Sequence, residues 1–215
     1  MKLYPSIPGP SKWRPGTYHL YEKLDGSNIR VEWDSKNGFH KWGRRHGLLD
    51  DSNPHLKKAP PIFMAKYGVQ LDRIFRAERY QEVTVFFEFF GTKSFAGTHY
   101  DDDAYDVVVF DISIYKKGMM KPADFEKLLR GKVDLPNLVD VKPVGINLIS
   151  ELQNLEADKI VAPNNVGDAH LVRPRICEGV VLKSANYVFK VKRLEWLDAL
   201  KGLCGENEFL FQTLA

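Results

Sequence analysis

The run Val83-Thr84-Val85-Phe86-Phe87-Glu88-Phe89-Phe90 leaves this chain few ways to fold. β-Branched and aromatic side chains crowd a helix but pack well on a pleated surface, so the run reads as a strand. Its apolar residues fall on both alternating sides, as in strands that are covered on both faces. One carboxylate, Glu88, sits inside it on the side of Phe86 and Phe90. Burying that group unpaired would cost several kcal/mol. Glu88 therefore either lines a cleft or lies at a sheet edge with its head in water, and the run alone leaves both readings open.

A core for such a strand is available in a chain of 215 residues that is 44% hydrophobic and 12% aromatic. Its 16 Gly and 12 Pro follow no period, which excludes collagen-like and low-complexity classes. A formal net charge of +3 permits contact with phosphates without requiring it. Two cysteines, Cys177 and Cys204, cannot build a disulfide framework or a Cys-x-x-Cys zinc site, and the six histidines show no i, i+4 ligand pair. With no leader-like N-terminus and no apolar span of about 20 residues, the chain is expected to be cytoplasmic, without membrane contact.

Strands and helices follow one another irregularly. Pro5, Pro8, Pro10 and Pro15 mark an irregular arm. Residues 17 to 33 become strand-like, and Asp25-Gly26 within them predicts a hairpin turn. A helix is predicted over residues 61–80, a second strand run over 105–114, and a short helix between Pro122 and Gly131. Asn147 is expected to cap a helix bearing Leu148, Leu152 and Leu155. Strands at 179–183 and 187–192 and a helix at about 194–204 complete the series. Without regular β-α alternation the class is α+β.

Four segments carry groups able to do chemistry. Lys23, in Glu22-Lys23-Leu24-Asp25-Gly26, stands at a strand end beside a tight turn; desolvated or near other cations, its amine can become a nucleophile. A solvated hairpin lysine is the simpler reading of that tetrapeptide alone. Glu88 is the second. The third is Glu178-Gly179-Val180-Val181-Leu182-Lys183, whose charged ends fall on opposite sides of a regular strand unless Gly179 permits a bulge. In the fourth, Lys190 and Lys192 project to one side of a strand and can both face phosphate oxygens. Asp101-Asp102-Asp103 reads as a solvated loop and Cys177 as a small core residue. Lys57, Lys58, Arg73, Arg76 and Arg79 suit either a basic surface for RNA or ordinary solvated faces.

In this order the segments resemble the motifs of the covalent nucleotidyltransferase superfamily of ATP-dependent ligases and RNA-capping enzymes. Glu22-Lys23-Leu24-Asp25-Gly26 looks like its Lys-x-Asp-Gly nucleophile motif and Arg44-Arg45-His46-Gly47 like the basic motif downstream. Phe87-Glu88-Phe89-Phe90-Gly91 and Val109-Phe110-Asp111-Ile112 resemble the next two. Glu178 to Lys183 and Lys190-Val191-Lys192 resemble the last two. Gly26-Ser27-Asn28 is similar to the Gly-Thr-Asn of RNA ligases of the nick-sealing type. DNA ligases and capping enzymes place an arginine directly after the motif, and Arg30 comes two positions too late for it. Only 23 residues follow Lys192 (215 − 192), too few for an OB-fold.

The resemblance implies a single α+β adenylyltransferase domain over residues 1–215, ATP-grasp-like, with two antiparallel sheets lining an ATP cleft and helices flanking them. It implies an ATP-dependent RNA ligase joining 5′-phosphate and 3′-hydroxyl ends through lysyl-AMP. Lys23 would be the nucleophile, and Glu178 would hold Mg²⁺ or Mn²⁺. Lys190 and Lys192 would neutralise the α-phosphate, Glu88 would bind the ribose, and Phe110 would stack on adenine. Lys183 and Arg45 would line the pocket with Glu22 and Leu24, and Asn28 would serve the 5′-phosphate step. The expected partner is RNA, including RNA/DNA hybrid nicks, and the expected state a monomer. A DNA ligase, a capping guanylyltransferase or a non-catalytic nucleic-acid-end binder are the alternatives.

Overall fold

The computed structural model describes residues 1–50, 54–91, 104–155 and 178–214. Its strands are β1 (Gly16–Lys23), β2 (Ser27–Asp34), β3 (Gly38–Arg44), β4 (Gly47–Leu48) and β5 (Glu82–Phe90). They continue with β6 (Asp106–Ile114), β7 (Gly118–Met119), β8 (Leu138–Val144), β9 (Gly179–Lys183) and β10 (Val188–Lys192). Two antiparallel sheets result, ordered β10-β9-β1-β8 and β4-β3-β2-β5-β6-β7, so the class is α+β as expected. The chain forms two compact units. One carries the six-stranded sheet and includes Met1–Ser6; the other carries the four-stranded sheet and includes Ile7–Asp25.

Asp25-Gly26 does not close a hairpin. β1 pairs with β8 and β9, whereas β2 pairs with β3 and β5, so the turn passes the chain from one sheet to the other. Gly26 is needed for close approach: a Cβ there would run into the Phe89 carbonyl of β5. The dipeptide signal describes local bending only, and strand partners are chosen by burial over the whole chain.

In the six-stranded unit, Ile29, Val31, Trp33, Val83, Val85, Phe87, Phe89, Val107, Val109 and Ile112 turn one sheet face into the core. Helices α1 (Ala59–Phe63) and α2 (Val69–Ala77), joined through a π-helical turn at Met64–Gly68, cover this face with α3 (Pro122–Leu129). The predicted 61–80 helix thus begins earlier and ends sooner. Prolines are tolerated in a first turn, where their missing N–H has no partner to lose, and Arg79 has left helical geometry at φ 55°. Trp33 Nε1 donates to Asp72 of α2 at 2.8 Å, satisfying a buried donor.

The four-stranded unit buries Tyr18, Leu20, Val180, Leu182, Phe189 and Val191 beneath α4 (Ile146–Gln153), from which Leu152 joins them. Gly145 occupies the cap position, and Asn147 lies within the first turn rather than capping it. β8, not foreseen, is an edge strand, which is why Pro143 fits in it. At the other edge the Lys190 N–H donates to Pro8 O at 2.9 Å. α5 (Leu194–Cys204) and α6 (Glu208–Leu214) pack together around Trp196, Leu200 and Cys204. Among the described residues, no helix is long and apolar enough to cross a membrane.

Candidate active site

Strand register in the four-stranded sheet sorts its side chains. Lys23 of β1, Gly179 of β9 and Lys192 of β10 share one rung, and two rungs on, Tyr21, Val181 and Lys190 share another. Rungs two apart face the same way. Lys23, Lys192, Lys190 and Lys183 therefore lie on the face opposite the apolar core, and Glu22, on the intervening rung with Val180 and Val191, lies on the core side. Leu24 follows the end of β1 and is half-buried.

By alternation Glu178 belongs on the core side, yet its carboxylate reaches both lysines. Lys23 Nζ donates to Oε2 at 2.5 Å, and Lys192 Nζ lies 2.9 Å from Oε1. Gly179 makes this possible, with φ at +149°, where a side chain is strained, and no room for a Cβ against the Val191 carbonyl. No bulge interrupts the ladders of β9 with β1 or β10; Glu178 lies just before β9, outside its alternation, and the backbone conformation that glycine permits there brings its carboxylate to the lysines. The Lys192 ammonium also stands 4.1 Å over the Trp196 ring, and the Arg193 N–H donates to Glu178 O at 3.0 Å. Lys183 reaches toward the site, its Nζ 5.4 Å from the centre of the Tyr21 ring.

Electrostatics of the trio follow from burial and proximity. Burial alone would raise the Glu178 carboxyl, but Lys23 and then Lys192 outweigh it and hold it below the usual carboxylate range. Burial pushes the Lys192 amine below its ordinary value; Glu178 opposes this, and the Lys23 charge adds to it. Two ammonium groups face one carboxylate, and the Asp25 charge also favours the protonated form of Lys192. Lys23 keeps 19% of its side chain exposed, against 8% for Lys192 and 5% for Glu178. Of the two amines, Lys23 is the accessible one.

The six-stranded unit holds the other expected residues. β5 is an interior strand, so Glu88 is no edge residue. It pairs with Asn28 of β2 and Val108 of β6 on the non-core face, half-buried, and Asn28 Oδ1 is buried with no partner among the described residues. A register shift in the β5–β6 ladder leaves Phe110 extra: Phe86 pairs with Asp111, Phe87 with Val109. Alternation from Val107 and Val109 would send Asp111 into the core, and the bulge puts it on the polar face instead. Arg45 is exposed in the turn between β3 and β4.

Sequence reasoning missed Tyr4. Its ring meets Phe86 and Phe110 edge-on, with centroids 5.0 Å from each, and its hydroxyl donates to Asp111 Oδ2 at 3.0 Å. Burial, and then the Asp111 charge, hold the phenol well above its usual value. Nothing in Leu3-Tyr4-Pro5 signals this, because the segment has no periodicity. Asp101-Asp102-Asp103 and Cys177 lie outside the described residues. Arg76 is engaged with Asp72 at 2.8 Å on its own helix. Among the described residues, no group of three or more His, Cys, Asp or Glu could hold a metal alone.

Two antiparallel sheets with flanking helices are consistent with a nucleotidyltransferase-type fold, as the likeness to solved RNA ligase structures supports. Residues 16–197 match the RNA ligase family, and the chain belongs to it. No curated protein sequence matches significantly. Among solved structures, one Naegleria gruberi RNA ligase variant with ATP and Mn is similar at TM-score 0.62 and 15% identity, covering 86% of this chain and 52% of that one. A second variant of that ligase, with AMP and Mn, gives TM-score 0.59 and 13% identity over 85% and 51%. This chain spans about half the length of those ligases.

Proposed function

We propose that this protein is an ATP-dependent RNA ligase. One observation carries the reading: in a chain of the RNA ligase family, Lys23 and Lys192 meet on the buried Glu178 carboxylate. The Lys23 ammonium loses one proton to solvent and the resulting amine attacks the α-phosphorus of ATP; a P–N bond forms as the bond to pyrophosphate breaks, and the nitrogen sheds a second proton to the departing pyrophosphate or solvent. A 5′-phosphate oxygen of an RNA end then attacks the AMP phosphorus; the P–N bond breaks, and the nitrogen takes up a proton to return Lys23 as a free amine. A 3′-hydroxyl attacks that phosphate, loses its proton and expels AMP.

Each step is a displacement at phosphorus, where positioning and compensation of charge dominate. Lys190 and Lys192 neutralise the α-phosphate; Lys183, Arg45, Glu22 and Leu24 are assigned to nucleotide binding, Glu88 accepts from the ribose, and Phe110 stacks on adenine. Asn28 serves the 5′ phosphate. One buried carboxylate suits Mg²⁺ or Mn²⁺ held jointly with substrate phosphates, as such ions commonly are; Glu178 is the protein ligand, and the ion would offset phosphate charge. The similar Naegleria ligases, bearing ATP or AMP with Mn, support both cofactors. The protein is taken to act as a cytoplasmic monomer on RNA, including RNA/DNA hybrid nicks.

Intact-mass measurement after incubation with ATP and Mg²⁺ or Mn²⁺ should show one AMP added, and sealing should favour RNA over matched DNA nicks. Absence of the adduct would leave a non-catalytic end binder. Labelling by GTP instead would indicate a capping enzyme, and preference for DNA nicks a DNA ligase.

A further inference from the structure

Arg30 has no role in the chemistry above, yet it is a charged residue left only 3% exposed. Its guanidinium is directed at one object, the turn joining β3 to β4. Nη1 donates to the Arg44 carbonyl and, at 3.3 Å, to that of Arg45; Nη2 donates to the Gly47 carbonyl at 3.3 Å. Nε has no partner among the described residues, so these carbonyls are its hydrogen-bond partners there. Arg30 and Gly43 are partners in the β2–β3 ladder. A Cβ at Gly43 would lie 2.5 Å from Met1 Sδ, 2.9 Å from the Gly47 carbonyl oxygen and 3.2 Å from Arg30 Cζ. The missing side chain leaves room for Met1 and for the guanidinium on its way to the turn.

A two-residue link between strands, with an exposed arginine at its tip, has little of its own to fix its shape. Backbone carbonyls bound to a rigid, always-charged fork lose most of their freedom. We propose that Arg30 is a positioning residue for Arg45: it clamps the carbonyls of residues 44, 45 and 47 so that the Arg45 side chain is presented to the nucleotide in one orientation. This rests on the reading of Arg45 as a nucleotide-pocket residue.

Two measurements on the full chain separate the clamp from its consequence. Trypsin cuts after Arg44 and Arg45 if the turn opens, with the exposed Lys116-Lys117 turn as the internal control. Arg30→Lys, which keeps charge but loses the fork, should speed cleavage at 44–45 by about tenfold relative to that control. In the covalent AMP assay, Arg30→Lys and Arg45→Ala should each raise the half-saturating ATP concentration by about tenfold. Their combination should be no worse than Arg45→Ala alone, because residues acting as a unit are not additive. Arg30→Gln serves equally should the lysine variant melt early.

Unchanged cleavage at 44–45 overturns the clamp. Faster cleavage with an unchanged ATP requirement in Arg30→Lys, or a double variant showing the product of both effects, overturns the positioning role while the Arg45 reading stands. An Arg45→Ala protein that takes ATP as the parent does overturns that reading and the positioning role with it, and the trypsin result alone then decides the clamp.

Discussion

Lys23, at the end of β1, donates to Glu178, the residue just before β9, across 155 residues of sequence, Nζ to Oε2 at 2.5 Å. An amine held this way is a counter-ion first, and it is a nucleophile only after losing its proton. The two roles separate by substitution. Lys23→Arg keeps the positive partner and should melt near the parent, whereas its guanidinium stays protonated and cannot attack phosphorus. AMP uptake should fall by at least about 10²-fold in both Lys23→Arg and Lys23→Ala. Intact mass and α-labelled ATP measure it, and uptake by either variant at the parent's level would remove Lys23 as the nucleophile.

Acid should weaken the four-stranded unit through Glu178. Its folded pKa is below the unfolded value near 4.5, so between the two the unfolded chain binds the extra proton. The stabilisation is fully present above that value and is lost as pH falls through the folded one. Lys192 is lowered from 10.5, so its contribution rises with pH from the folded value up to 10.5 and adds nothing to the acid limb. Glu178→Gln should therefore lower stability at neutral pH, where both lysines lose their anion, by roughly 3–5 kcal/mol. It should also flatten the decline as pH falls from neutral through the unfolded value near 4.5 and below it. Urea unfolding across that range measures both, and parallel acid limbs for parent and variant would refute the assignment.

Gly179→Ala tests the local geometry that brings Glu178 around. The added Cβ meets the Val191 carbonyl and sits 2.9 Å from Lys192 Cα, with φ at +149°, so the clash is with backbone and no rotamer relieves it. The cost should be roughly 3 kcal/mol, lowering the melting temperature by about 6–12 °C. AMP uptake should fall even below that temperature, since Lys192 itself must shift. A variant that melts and labels like the parent would mean that the β9–β10 register does not constrain the site.

Legibility divided along physical lines. Strand β5, the polar side of Glu88, and the shared face of Lys190 and Lys192 follow from period-two alternation, which sequence displays directly. The partners of β1 and β2 do not, because Asp25-Gly26 reports a bend and not which strand lies alongside. The placement of Asp111 depends on a bulge at Phe110, and a one-residue insertion in a ladder leaves no mark in composition. Arg30 and Tyr4 act through contacts with residues distant in sequence, from a position without periodicity in the case of Tyr4. The lysine-carboxylate pattern was visible as types and order, but the meeting of Lys23 and Lys192 on one carboxylate required the register.

Tyr4 lends itself to a graded test, because its ring and its hydroxyl do different things. Tyr4→Phe keeps both edge-on contacts and takes one donor from Asp111, a buried carboxylate, at a cost of about 1–2 kcal/mol. Tyr4→Ala also removes the ring that bears on Phe86 and Phe110, and should cost about 3–5 kcal/mol. If Phe110 stacks on adenine, a ring no longer braced from the side should bind the base less well. The half-saturating ATP concentration for AMP uptake should then rise clearly in Tyr4→Ala, by about tenfold, and little in Tyr4→Phe. The rate at saturating ATP should change less than the ATP requirement, because Tyr4 bears on the proposed base-stacking ring and not on the reacting phosphorus. Titration of ATP in the labelling assay checks this at a temperature where both variants are folded. Equal ATP requirements in parent and Tyr4→Ala would show that the brace has no bearing on the nucleotide.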